Sequence, residues 1–212
     1  MLGVPVLRAR MGWPRGPITV PVFFDGSLVL RESLDIARHA ERLGGGEPLF
    51  PEGRDADVVH WNGLADVISR AGRALLLPRL ARNDRALAES MPGAIPTPLR
   101  RLATPVALSA VRYISRKHDV REEAAEQDRA TIRVALRTLR ERLERDEHVL
   151  GAWSYADVAL ASALQVVRPC DRLAQLGEAT TSAWTDETLA REHEDVLAWR
   201  DRVVAARMPQ RR

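Results

Sequence analysis

Apolar and polar positions change their rhythm near residue 50. Before it, short apolar runs separated by turn residues predict strands. These are Val4 to Leu7, then Val20-Pro21-Val22-Phe23-Phe24 and Ser27-Leu28-Val29-Leu30 on either side of Asp25-Gly26, a dipeptide that favours hairpin turns. Gly12-Trp13-Pro14-Arg15-Gly16-Pro17 reads as a loop by its glycines and prolines. Arg31-Glu32-Ser33 opens a helix whose positions Leu34, Ile36, Ala37 and Ala40 share one face. It runs to about Leu43, where Gly44-Gly45-Gly46 stops it. Past Pro48 and Pro51 the apolar spacing turns helical. It predicts helices over 55–83, 98–118, 121–146, 154–168 and 186–206, with breaks at Met91-Pro92-Gly93, at Ile95-Pro96-Thr97-Pro98 and after Arg168. The fold class that follows is α+β: a small strand-rich unit over 1–50 and an all-helical bundle over 51–212.

Charge narrows the picture. The formal net charge is +3, yet the basic residues are almost all arginine, and Lys117 is the sole lysine. Arginines alternate with acids along predicted helices, as from Arg137 to Glu147, which reads as a solvated face with pairs four residues apart. Basic clusters interleaved with aromatics are not evident, so no nucleic-acid partner is expected. No run approaches the roughly 18 apolar residues of a membrane helix, so no membrane partner is expected. The N-terminus lacks a signal-peptide pattern, which points to the cytoplasm.

Cys170 is the only cysteine, which excludes an intramolecular disulfide and reads as a small buried side chain. The histidines are scattered without metal-ligand spacing, so no metal is expected. Trp61, Trp153, Trp184 and Trp199 read as core or interface anchors. Asp66, Arg70 and Arg73 read as a surface ladder. Pro21 within a strand-like run removes a ladder hydrogen bond. That suits an edge strand, or a cis bond at a functional rim. Glu32 and Ser33 sit at a helix N-terminus. There they can cap the helix's own donors, or join those donors in holding a ligand carboxylate. Ser154 and Asp157 have capping-box spacing.

The order of these features is more specific than any one of them. The stretch from Thr19 to Glu41, TVPVFFDGSLVLRESLDIARHAE, resembles the second half of the thioredoxin-like domain of glutathione transferases. Leu150-Gly151-Ala152-Trp153-Ser154-Tyr155-Ala156-Asp157 resembles the G-x-x-S-x-A-D segment of that family's helical domain. The resemblance implies a cis Val20–Pro21 bond, with the backbone there pairing with the cysteinyl part of glutathione. It implies that Glu32 and Ser33 hold the γ-glutamyl end, and it makes Arg15 a candidate for the glycine carboxylate. Glutathione would be the co-substrate, a hydrophobic electrophile the second substrate, and a homodimer the expected assembly.

Against that pattern, only 19 residues precede Val20, fewer than a strand–helix–strand unit of about 30 or more needs. The family's first strand and first helix have no sequence here, and no residue fills the thiol-activating place. Two expectations stand side by side. One is an enzyme whose true start lies upstream and which conjugates glutathione or uses its thiol. The other is a non-catalytic binding or dimerisation module of the same fold.

Overall fold

The computed structural model describes residues 20–92 and 95–207. The expectations for Val4 to Leu7, the Gly12–Pro17 loop with Arg15, and Gly93 lie outside them. The described chain is mostly helical, with one small antiparallel sheet, and it divides into two compact units after Asp55.

In the first unit, β1 (Phe23–Asp25) pairs with β2 (Leu28–Leu30), with Phe23 opposite Leu30 and Asp25 opposite Leu28. Asp25 therefore ends a strand, and the loop is Gly26-Ser27, one residue later than the Asp-Gly signal suggests. Gly26 has φ 56°, while Ser27 stays out of the positive region, so this is the turn that asks for glycine only at its first central position. Helix α1 (Ser33–Leu43) follows and ends at Gly44, whose φ of 79° lets the chain leave.

No residue of α1 is fully buried, and polar ties do much of the holding. His39 Nε2 meets Asp25 Oδ2 at 2.8 Å, joining the helix to the hairpin turn. Glu41 Oε1 accepts the N–H groups of Leu49 and Phe50 at 2.6 and 3.0 Å, which folds the glycine-containing linker back on the helix. Arg38 lies over the Phe50 ring and pairs with Asp55 at 3.0 Å.

The second unit is built on α2 (Asp55–Ala81). Val58, Trp61, Ala65, Ile68, Gly72 and Leu75 are buried at alternating steps of three and four, the stripe a core-facing helix needs. Farther on, Leu76, Leu77 and Leu80 are buried as well, so the helix enters the core on more than one side. Asp66 accepts from Asn62 at 3.4 Å and Arg73 meets His118 at 3.3 Å, so these two side chains have partners outside the expected ladder.

Then come α3 (Asp84–Glu89), α4 (Thr97–Leu102), α5 (Thr104–Lys117), a 3-10 turn at Glu122–Ala124 and α6 (Ala125–Leu143). The last four are α7 (Tyr155–Ala163), α8 (Glu178–Trp184), α9 (Glu187–Glu192) and α10 (Glu194–Arg207). Each of three expected long helices is two pieces or a helix with a 3-10 end. The 98–118 stretch breaks at Ala103, 154–168 tightens into 3-10 over Leu164–Val166, and 186–206 breaks at His193. Helices α3 and α8 are additions to the sequence expectation. α3 carries Asn83 as its N-cap, with Oδ1 accepting from the Ala86 N–H at 3.0 Å.

α3 packs on α5 and α8, and α10 packs on α6 and α7. The core under α3 gathers Leu76, Leu77, Leu80, Leu87, Val111 and Ala183. Cys170 is buried beside Ala161 and Val204, as its apolar setting suggests. Trp61 and Trp199 are buried, and Trp184 is half-buried against the first of these clusters.

Three buried polar groups set the connections. Asp157 is fully buried; its carboxylate accepts from the N–H groups of Val149 and Ser154 at 3.0 and 2.9 Å and from Ser154 Oγ at 3.0 Å. The expected capping box is present, and the shorter acid reaches because the whole turn is buried around it. Burial raises the Asp157 pKa against the opposing pull of these donors and of His148. Asp186 caps α9 through the Leu189 N–H and accepts from Arg79 and Arg129, both at 3.1 Å, tying α2 and α6 to the start of α9. Arg200 is 1% exposed and donates to the carbonyls of Leu164 and Arg168, the loose end of α7.

Two predictions follow from this packing. A Cβ on Gly72 would lie 2.0 Å from Val166 Cγ2, so Gly72→Ala is expected to cost about 1–3 kcal/mol despite alanine's helix preference. Adding Val166→Ala should recover about 1 kcal/mol or more relative to the sum of the two single changes, read by denaturant melts. Simple additivity would mean the two side chains do not meet.

The second concerns His193, which is 5% exposed and accepts the Arg140 guanidinium on Nδ1 at 3.1 Å. Burial and then Arg140 hold its pKa below the usual value, with Arg133 acting the same way and Glu192 and Asp195 opposing. The unfolded chain therefore binds the proton more readily than the folded one. The His193 contribution is fully present above a pH of about 6.5 and is lost as pH falls below it. His193→Asn keeps an acceptor in the same place and does not titrate. It should flatten stability against pH between about 5 and 7, and an unchanged slope would remove His193 as its source.

Candidate functional site

The four residues singled out by the sequence lie at one end of the hairpin. Val20 and Pro21 enter β1, and Glu32 and Ser33 leave β2, both at the end opposite the Gly26-Ser27 loop. Val20 and Pro21 lie just before the Phe23–Leu30 pair and Glu32 and Ser33 just after it. The Val20–Pro21 peptide bond is cis. All four residues are exposed, and Val20 is 75% exposed.

The helix start has its own electrostatics. Glu32 occupies the N-cap position with extended backbone and Ser33 is the first helical residue. The Glu32 carbonyl already accepts the first helical bond, from Ile36 N–H at 3.0 Å. The Glu32 side chain makes no cap bond, so plain capping is not the role Glu32 takes. The N–H groups of the first turn lie at the positive end of the dipole, where Glu32 and Ser33 are both exposed. An extended backbone next to such a terminus can pair with a peptide-like ligand and hold its carboxylate.

Sequence reasoning missed the side chains that hold the unit together away from this end. Asp25 and His39 hold the hairpin against α1, and Glu41 holds the linker. In the sequence His39 is only one of several scattered histidines. Its partner lies fourteen positions away, across a turn whose register decides which way Asp25 points.

Groups for activating a thiol are sparse in this unit. Ser27 and Ser33 are the hydroxyl side chains among its described residues. Ser27 lies in the loop at the far end of the hairpin. The tyrosines are in the helical unit, with Tyr113 exposed on α5 and Tyr155 buried on α7. Among the described residues no cluster of three or more His, Cys, Asp or Glu side chains is placed to hold a metal ion. No known protein family, curated protein or solved structure matches the chain.

Proposed function

We propose that this chain is a glutathione-transferase-like protein that binds glutathione at the open end of the hairpin. The carrying observation is the exposed, uncapped N-terminus of α1, with Glu32 and Ser33 at its first two positions. The γ-glutamyl end of glutathione carries an ammonium and a carboxylate on one carbon. The Glu32 carboxylate suits the ammonium, while the Ser33 hydroxyl and the first-turn N–H groups suit the carboxylate. Backbone at Val20 and Pro21 is free of the β1–β2 ladder, and it pairs with the cysteinyl part of the extended tripeptide. In the enzymatic form of this reading the bound thiol gives up its proton to solvent and attacks a hydrophobic electrophile, and the carbon–sulfur bond of the thioether forms as a leaving group such as chloride departs with the electron pair of its bond to carbon.

The second reading is a non-catalytic module of the same fold that binds or assembles, as a homodimer in the simplest case. The scarcity of hydroxyl and thiol side chains in the described part of the first unit favours it.

Titration calorimetry of the full chain with glutathione separates these readings from a fortuitous hairpin. Saturable binding is expected, weakened about tenfold or more by Ser33→Ala, the cost of one hydrogen bond to a charged group. Glu32→Gln should weaken it by a similar factor, and more so at low salt. A folded protein that shows no heat of binding, or variants that bind as well as the parent, would remove the helix start as a glutathione site. Binding without conjugation of a chlorinated dinitrobenzene would select the non-catalytic module.

A further inference from the structure

From Ser90 to His118 the chain carries five basic residues, Arg100, Arg101, Arg112, Arg116 and Lys117, and not one Asp or Glu. Elsewhere several arginines stand in ion pairs, such as Arg133–Glu192 and Arg168–Glu194. The same stretch forms α4 and α5, and it exposes large apolar side chains. Leu102 is 78% exposed, Val106 63% and Tyr113 54%. Val106, Ser109 and Tyr113 form one row along α5, with Arg112 and Arg116 beside it, all exposed. The opposite face of α5 is spent on the core through Ala107, Leu108 and Val111. The helix is thus fixed to the body of the unit by one side, and offers a convex, basic and apolar row on the other.

We propose that this row docks on the surface of a bilayer bearing anionic headgroups. This inference is independent of the glutathione reading. Charge complementarity selects the occupant. An acid-free basic segment gains from a negative surface, and two copies meeting through it across a two-fold axis would set these cations against each other. The apolar side chains between the arginines select a lipid surface over a purely ionic one. Leu102, Val106 and Tyr113 enter the headgroup–acyl boundary while the arginine stems lie along it with their guanidinium groups at the phosphates. A bilayer accepts a convex row of this kind, whereas a protein partner would have to supply a matching acidic groove. No described helix is long and apolar enough to cross a membrane, and surface docking requires none. The expectation of no membrane partner rested on spanning length alone.

The test is co-sedimentation of the full chain with vesicles of equimolar phosphatidylcholine and phosphatidylglycerol, against vesicles of phosphatidylcholine alone. Binding to the anionic vesicles is expected to exceed binding to the neutral ones by about tenfold or more, and to fall as salt rises. Leu102→Asp with Val106→Asp, and separately Arg112→Glu with Arg116→Glu, should each lower it by about tenfold or more, with far-ultraviolet circular dichroism and melting temperature unchanged. Should the aspartate pair unfold, Ser109→Glu in the middle of the exposed row replaces it. Parent protein left in the supernatant with anionic vesicles would overturn the proposal, as would variants that pellet like the parent. Retention by polyglutamate without vesicle binding would assign the face to an acidic protein. A dimer that the aspartate pair converts to monomer, without vesicle binding, would assign it to a second copy.

Discussion

Each α-helix begins with N–H groups that its own turns cannot satisfy, and much of this chain is arranged around meeting that demand where water is excluded. In the helical unit four helix starts meet the demand from within. Asn83 serves α3, Ser154 and Asp157 serve α7, and Asp186 serves α9. Glu89, on α3, reaches across to the Thr180 N–H at 2.9 Å and serves α8. The last two caps also join segments distant in sequence, so satisfying a helix end and setting the packing are there the same event. Asp157 is the most enclosed of them. A carboxylate at zero exposure must find all its donors in protein, and it draws Val149 and the Ser154 turn onto the start of α7.

The helix of the hairpin unit gets no side-chain bond from its N-cap residue, as is also true of α5 and α6 after Ala103 and Ala124. α1 starts at an exposed position with no side-chain cap, while its flanks are held by His39–Asp25 and Glu41 with the linker. The rigid parts of the unit are thus away from its open end, and the donors are at that end. This separation of support from exposed polar groups is what a carboxylate-binding terminus requires, and it is why the functional reading centres there.

The two surfaces proposed for binding draw on different physics. At α1 a few oriented donors and one carboxylate face a small zwitterionic group at close range. On α4 and α5 the proposed attraction is diffuse, coming from the sum of several cations together with exposed apolar area. The first is sensitive to single atoms; the second to total charge and ionic strength. The whole-chain charge of +3 hides the second surface, because averaging over 212 residues cancels a local run of five cations against acids placed elsewhere.

By itself the sequence determined the change from strand to helix near residue 50, the hairpin, the glycine stop after Leu43, the extent of the first long helix and the capping box at Ser154. These are local signals: turn residues, periodicity and caps act within a few positions, and the chain reports them directly. It also placed Val20, Pro21, Glu32 and Ser33 next to the same two strands. The tertiary structure alone decided that the hairpin loop is Gly26-Ser27, that α3 and α8 exist as short packed helices, and that Asp186, Glu89, Arg200 and His39 are structural anchors. Each of those roles needs a partner from fourteen to more than one hundred residues away. It also decided that the α1 terminus stays uncapped and exposed, because a capping residue type at a helix start permits a cap, and only the final geometry settles whether the bond is made.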